Sequence, residues 1–236
     1  MKNKKLLILC LMGIICVVCF FGFKLFYLNK YNTDEFDDMY ANFLELYDGR
    51  EFYTIEDNKL SGVDYLSLLN LKLDNNFNGY ILSNDSLDDN YVRYELFDDN
   101  GKVKSAISLL VIEPRYKSFD ENNLSAEDYV KENDLNTETE FFDYVFKNKE
   151  KSINVFSSIK DIKNNYIIKR TLAALGNDKT NKLIILTGKY DGYVLVNENN
   201  YSVYIEKDKK MYALSFIKAV NSVKELKDIL NTIVIE

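Results

Sequence analysis

Histidine and tryptophan are absent from this 236-residue chain, and proline occurs once, at Pro114. Without histidine there is no Ser-His-Asp or Cys-His nucleophilic system and no imidazole zinc site, and the commonest general base near pH 7 is missing. Without tryptophan the best stacking platform for a sugar is lost, although tyrosine, present 18 times, can substitute. The nine glycines are scattered singly, so there is no glycine-rich phosphate loop. Cys10, Cys16 and Cys19 are the only cysteines, and the chain beyond them cannot form a disulfide. What remains is carboxylate, Ser-Lys or tyrosine chemistry, or a hard cation bound by oxygen.

Charge is also missing from Leu6 to Phe23. As a helix, those roughly 18 residues span about 27 Å, close to the hydrocarbon thickness of a bilayer. Lys24 interrupts the run where a lysine can snorkel to the headgroups. Leu25 to Leu28 then extend it, with Tyr27 placed for an interfacial belt. We expect a transmembrane anchor at residues 6–28, after a short cytoplasmic tail at 1–5 that carries Lys2, Lys4 and Lys5. A cleaved signal peptide would need small residues at its cleavage site, but no alanine precedes Ala41 and Gly22 has Phe20 two positions earlier. A lipoprotein would need a small residue before its cysteine, whereas the three cysteines follow Leu9, Ile15 and Val18. The expectation is an uncleaved signal-anchor with the N-terminus cytoplasmic and residues 31–236 extracytoplasmic. So short a tail cannot fold, so the work falls to the exported part. With Gly13, the cysteines form a loose stripe of small residues without a Gly-x-x-x-Gly motif, and the plain reading is small apolar side chains.

A cysteine-free exported part and Lys/Asn/Ile/Tyr-rich usage fit the envelope of a Gram-positive-type bacterium. Glycosylation acceptor patterns at Asn84, Asn123 and Asn200 arise by chance in so Asn-rich a chain. Residues 31–236 hold 25 basic and 37 acidic residues, net −12. The split is uneven: residues 31–145 are net −18, and residues 146–236 are net +6. A negative exported part argues against a nucleic-acid partner.

Helical periodicity places a helix over Thr33–Tyr47, capped by Thr33, closed by Gly49 and continuous or bent with the anchor. Asn78–Ser83 reads as a strand. Tyr91–Phe97 and Lys102–Ile112 read as a hairpin around Asp98-Asp99-Asn100-Gly101, and Pro114 stops the second arm. Ser125 with Asp128, Thr137 with Glu140 and Ser222 with Glu225 have capping-box spacing, and a longer helix is expected over Ser158–Leu175, closed by Gly176. Strands are expected at Lys182–Thr187, Tyr193–Val196, Tyr201–Ile205 and Met211–Ile217.

The two halves can be laid over one another. Asn78–Asn84 sits against Asp191–Asn197, with Gly79 on Gly192 and Tyr80 on Tyr193. Tyr91 and Tyr94 sit on Tyr201 and Tyr204. Ala106 and Ser108 sit on Ala213 and Ser215. This spacing fits a divergent duplication of a helix–meander–helix unit, against the plainer reading that alternating aromatics make any two meanders look alike.

Chemistry is thin. Asp85, Asp88 and Asp89, with Asp98 and Asp99 nearby, offer oxygens for calcium but lack EF-hand spacing, and the plain reading is solvated turn acids. Nothing selects one carboxylate pair for glycoside hydrolysis, and no Ser-x-x-Lys motif stands beside a second catalytic motif. Lys160, Lys163, Lys169 and Arg170 make a basic helix face. It suits anionic lipid or wall polymer, plain solvation, or pairing with the acidic first half.

The expected architecture is α+β: a single-pass anchor and an ectodomain of antiparallel β-meanders packed with helices, as two divergent repeats. These are a first acidic lobe at residues 31–135 and a second, more basic lobe at 136–236. No residue is assigned as catalytic, cofactor-binding or metal-ligating, and no cofactor is expected. The expected function is a non-enzymatic, membrane-anchored binding or assembly module with the membrane and another envelope protein as partners, and without nucleic acid. The alternatives are a carboxylate-dependent envelope hydrolase and a subunit of a membrane export or transfer complex.

Overall fold

The apolar run folds as one helix, α1 (Lys2–Lys30), in which Leu11–Lys30 is long and apolar enough to cross a membrane. The computed structural model describes residues 2–56, 60, 64–83, 89–117, 126–148, 153–176, 179–198 and 200–236, with side chains from residue 11 onward. The chain breaks at Tyr31–Thr33 before α2 (Asp34–Asp48), so anchor and α2 are two helices rather than one bent one. The break has a local cause: Asn32 Oδ1 accepts the Asp34 N–H at 3.3 Å, a turn that competes with helix continuation.

The remaining helices are α3 (Glu127–Glu132), α4 (Glu138–Lys147), α5 (Ile159–Ala173) and α6 (Val223–Leu230). Thr137 with Glu140 and Ser158 with Asp161 form reciprocal capping boxes, and the Ser222 hydroxyl accepts from Glu225 N–H. Ser125 lies outside the described residues, and α3 has Ala126 at its cap position without a side-chain bond.

In chain order the strands are β1 (Glu51–Ile55), β2 (Tyr65–Leu68), β3 (Leu71–Asp74), β4 (Ile81–Leu82), β5 (Tyr91–Phe97) and β6 (Val103–Ile112). There follow β7 (Thr180–Gly188), β8 (Asp191–Asn197), β9 (Asn200–Lys207), β10 (Lys210–Ile217) and β11 (Val234–Ile235). Eight of them form one sheet in the order β1-β7-β8-β9-β10-β6-β5-β4, and β11-β3-β2 form a second. Residues on both sides of position 135 share the large sheet: β10 pairs antiparallel with β6, and β1 pairs parallel with β7.

The strand expected over Asn78–Ser83 shrinks to the two residues of β4, because Gly79 takes φ +83° in a turn. Gly192 lies within β8, where an added Cβ would meet the Tyr204 carbonyl oxygen at 2.1 Å, so the two glycines serve different needs. In the β5–β6 hairpin, Gly101 takes φ +73° and Asp98 Oδ1 accepts from both Asn100 and Lys102 N–H.

The large sheet is the middle of three layers. One face packs Ile107, Leu109, Val203, Leu214 and Phe216 against the small sheet and α6. The other packs Leu183, Ile185, Tyr193 and Leu195 against Phe43 of α2, Phe141 and Phe142 of α4 and Leu172 of α5. Gly176 lets α5 close on α2, since a Cβ there would sit 1.9 Å from the Met39 carbonyl oxygen.

Candidate functional site

Helix α5 has a long-range neighbour on each side. Toward the N-terminus it leans on α1: the Tyr31 ring meets Tyr166 at 5.5 Å, and Lys163 Nζ lies 5.9 Å and 5.8 Å from the Tyr27 and Tyr31 ring centres. Toward α2 it is held by Lys169, whose ammonium donates to Asp37 at 2.7 Å and to the Thr33 hydroxyl at 3.3 Å. Burial works against the Asp37 charge, but these bonds hold its carboxyl below the usual range. Lys160 pairs with Glu132 at 2.6 Å, and Arg170, in the last turn, is exposed. The basic residues singled out in the sequence therefore sit on one helix. Lys160 and Lys169 spend their charge on acids of the first half of the same chain.

Where α2, α3, α4 and α5 meet they leave a pocket of about 90 Å³. It is lined by Tyr40, Tyr129 and Tyr144 and by the amides of Asn148, Asn164 and Asn165. Asp161 borders it but is committed to capping α5, accepting from Ser158 N–H and Oγ–H. Tyr129 and Tyr144 cross edge to face at 5.7 Å, and burial pushes the Tyr129 hydroxyl up to about 12, so it stays a neutral donor. The side chains of Asn164 and Asn165 are half-buried and make no hydrogen bond to a described residue. The site offers neutral donors, neutral acceptors and aromatic walls. A volume of that size has room for roughly six water-sized groups.

A second polar cluster is sealed. Glu138, in the first turn of α4, is 1% exposed. Its Oε1 accepts from the Tyr193 hydroxyl at 3.3 Å and lies 3.7 Å from Arg115 Nε, while its Oε2 accepts from Arg115 N–H at 3.4 Å. Arg115 Nε donates to the Tyr193 oxygen at 3.1 Å, and its guanidinium lies 4.9 Å from the Tyr204 ring centre. Glu206 accepts from Glu138 N–H at 2.8 Å and from the Tyr116 hydroxyl at 3.1 Å. Burial pushes the Glu138 carboxyl up to about 7 against the pull of Arg115, and burial also raises Glu206. Two carboxyls thus converge, with no open pocket described at them. They pin the start of α4 and the short 3-10 turn Arg115–Lys117 to β8 and β9. Sequence reasoning passed over both: an acid in a helix's first turn, as Glu138 is, ordinarily signals nothing beyond a favourable dipole, and Glu206 near the end of β9 reads as an ordinary polar strand residue.

Of the turn acids, Asp85 and Asp88 lie outside the described residues, and Asp98 spends its carboxylate on its own turn. Among the described residues no three His, Cys, Asp or Glu side chains are grouped to hold a metal. Cys16 and Cys19 are exposed on α1, and the Cys10 side chain is not among those described. No protein-family model matches the chain, and no curated protein matches it.

Proposed function

We propose that the protein is a membrane-tethered binding module. On this reading α1 spans the membrane with the N-terminus inside, and residues 31–236 present the pocket among α2, α3, α4 and α5 on the outer side. The observation that carries it is the lining of that pocket: three tyrosines and the amides of Asn164 and Asn165, with the acid Asp161 and the Asn148 amide, which donates to the Tyr144 carbonyl at 2.8 Å, already committed. Such a lining suits a small neutral ligand rich in hydroxyl or amide groups, with an apolar face to lie on tyrosine. The hydrolase alternative draws less support, because, of the converging pair, Glu138 is buried under Arg115 and Tyr193, and half-buried Glu206 already accepts from Tyr116 and from the Glu138 N–H. The test is a titration of the full-length protein in nanodiscs with short N-acetylglucosamine oligomers, of which one acetamido group is the size the pocket takes, followed by tyrosine emission, which no tryptophan obscures. Saturable binding should be lost in Asn164→Leu/Asn165→Leu with the melting temperature unchanged. Binding that survives the double substitution would move the site elsewhere, and no saturable response would overturn the ligand class.

Membership of a larger envelope complex has one observation in its favour. Ile81 and Leu82 of β4, the last strand of the large sheet among the described residues, are exposed, and so are Phe97 and Val103 at the end of the neighbouring β5–β6 hairpin. Ile81→Lys/Leu82→Lys should then abolish co-purification of a partner from detergent extracts, and unchanged co-purification would remove this reading.

We also infer that β4–β6 and β8–β10 descend from one three-strand unit. Ser108 faces Ser215 across β6–β10, and strand order runs outward from that pair as β5, β4 on one side and β9, β8 on the other. The ladders match best one residue away from the tyrosine alignment: Arg93 opposes Ser108 as Ser202 opposes Ser215, and Ile81 opposes Glu95 as Tyr193 opposes Tyr204. An experimental structure with Ser108 away from Ser215 would remove the inference.

A further inference from the structure

We propose that the turn Asn154–Ser157, with Phe156 at its tip, is a second membrane contact that seats the domain on the outer leaflet beside α1. It rests on α1 crossing the bilayer. Phe156 is 78% exposed, and its ring meets Phe21 of α1 edge to face at 6.1 Å. One turn along α1, Lys24 Nζ donates to the Ser157 carbonyl at 2.6 Å and is only 7% exposed, so the protein turn holds this ammonium in place of water. Tyr27 and Tyr31 then lie under Lys163, so the domain follows α1 from Phe21 to Tyr31.

These contacts fix a depth. Phe21 lies about 4–5 Å along the helix from Lys24 on the lipid side. Lys160, Asp161 and Asn164, just after the turn, are polar and are expelled from hydrocarbon. The edge of the hydrocarbon therefore falls near Phe21–Lys24, with the Phe156 ring just inside it. The turn is also stiff. Asn154 Oδ1 accepts the Phe156 N–H at 2.9 Å, Asn154 N–H donates to Ser157 Oγ at 3.0 Å, and Ser157 N–H returns to the Asn154 carbonyl at 3.0 Å. A fixed aromatic wedge beside a spanning helix is the posture of an interfacial anchor. Because α5 starts at this turn and lines the pocket, the pocket is held within one helix length, about 22 Å, of the bilayer.

The absence of tryptophan makes the test direct. Phe156→Trp, Val18→Trp and Tyr65→Trp, each as full-length protein in nanodiscs, are compared with lipids brominated along the acyl chain. Val18 reports the span, and Tyr65 lies in the small sheet behind the large one. Phe156→Trp should be blue-shifted relative to Tyr65→Trp and quenched by bromines near the headgroup, and Val18→Trp by bromines farther down the chain, about 4–9 Å inside the edge. Quenching of Val18→Trp alone overturns the seat and leaves the anchor standing. Quenching of neither overturns both. Phe156→Trp quenched as deeply as Val18→Trp would place the domain inside the bilayer and overturn the seat as well.

Discussion

Tyr193, in the middle of β8, donates its hydroxyl proton to Glu138 in the first turn of α4 at 3.3 Å. The bond ties the helical layer to the large sheet at a buried point, and the burial of Glu138 there makes the fold sensitive to pH. Burial keeps the Glu138 proton bound up to about pH 7, whereas the free carboxyl releases it near 4.5. Between those values the folded state binds more protons than the unfolded one, so this group's contribution falls as pH rises. The loss is on the order of 3 kcal/mol at most. Melting of the full-length protein in nanodiscs should show this decline between pH 4.5 and 7, and Glu138→Gln should flatten it. An unchanged slope in Glu138→Gln would mean that Glu138 is ionised throughout.

Tyr193→Phe keeps the ring and removes one hydroxyl. Arg115 Nε then loses its acceptor and Glu138 one of its donors, both in a dry setting. The expected cost is about 1–3 kcal/mol. Denaturant unfolding that shifts by much less would show that water reaches the cluster.

Gly192→Ala places a methyl 2.1 Å from the Tyr204 carbonyl oxygen, a backbone atom held in the β8–β9 ladder. Destabilisation of about 3 kcal/mol or more is expected. Gly13→Ala, with open space around the new methyl, is the neutral comparison. Equal melting temperatures for the two would contradict the close approach of β8 and β9.

The pair Lys169–Asp37 is partly exposed, so its coupling should be small, about 0.2–1 kcal/mol in a double-mutant cycle. Lys169→Glu should destabilise the protein and Asp37→Lys should partly restore it. No coupling between the two would return Lys169 to the surface for an external partner.

Local signals were readable in the sequence. Thr137 with Glu140 and Ser222 with Glu225 act within a single helical turn, and the Gly101 turn closes between adjacent strands. Strand β1 was not readable, because its partner β7 lies more than a hundred residues away and a parallel pairing leaves no turn between them. Glu138 was missed for the same reason: its partners Arg115 and Tyr193 are 23 and 55 residues distant. Under the proposed duplication the tyrosine alignment lies one residue off the ladder match, because Tyr91 and Tyr94, like Tyr201 and Tyr204, are an odd number apart and point to opposite faces. Tyr94 and Tyr201 pack in the core shared with the small sheet, whereas Tyr204 packs with the helices, so matching the tyrosines exchanges faces.

The account stands on α1 as an uncleaved tether with the rest of the chain outside. The direct measurement is protease shaving of intact cells followed by mass spectrometry of what the membrane retains. The account predicts loss of residues 31–236 and retention of a fragment that begins at the original N-terminus and contains α1. A mature protein starting between residues 20 and 35, or a domain that resists external protease until the cells are opened, would contradict it.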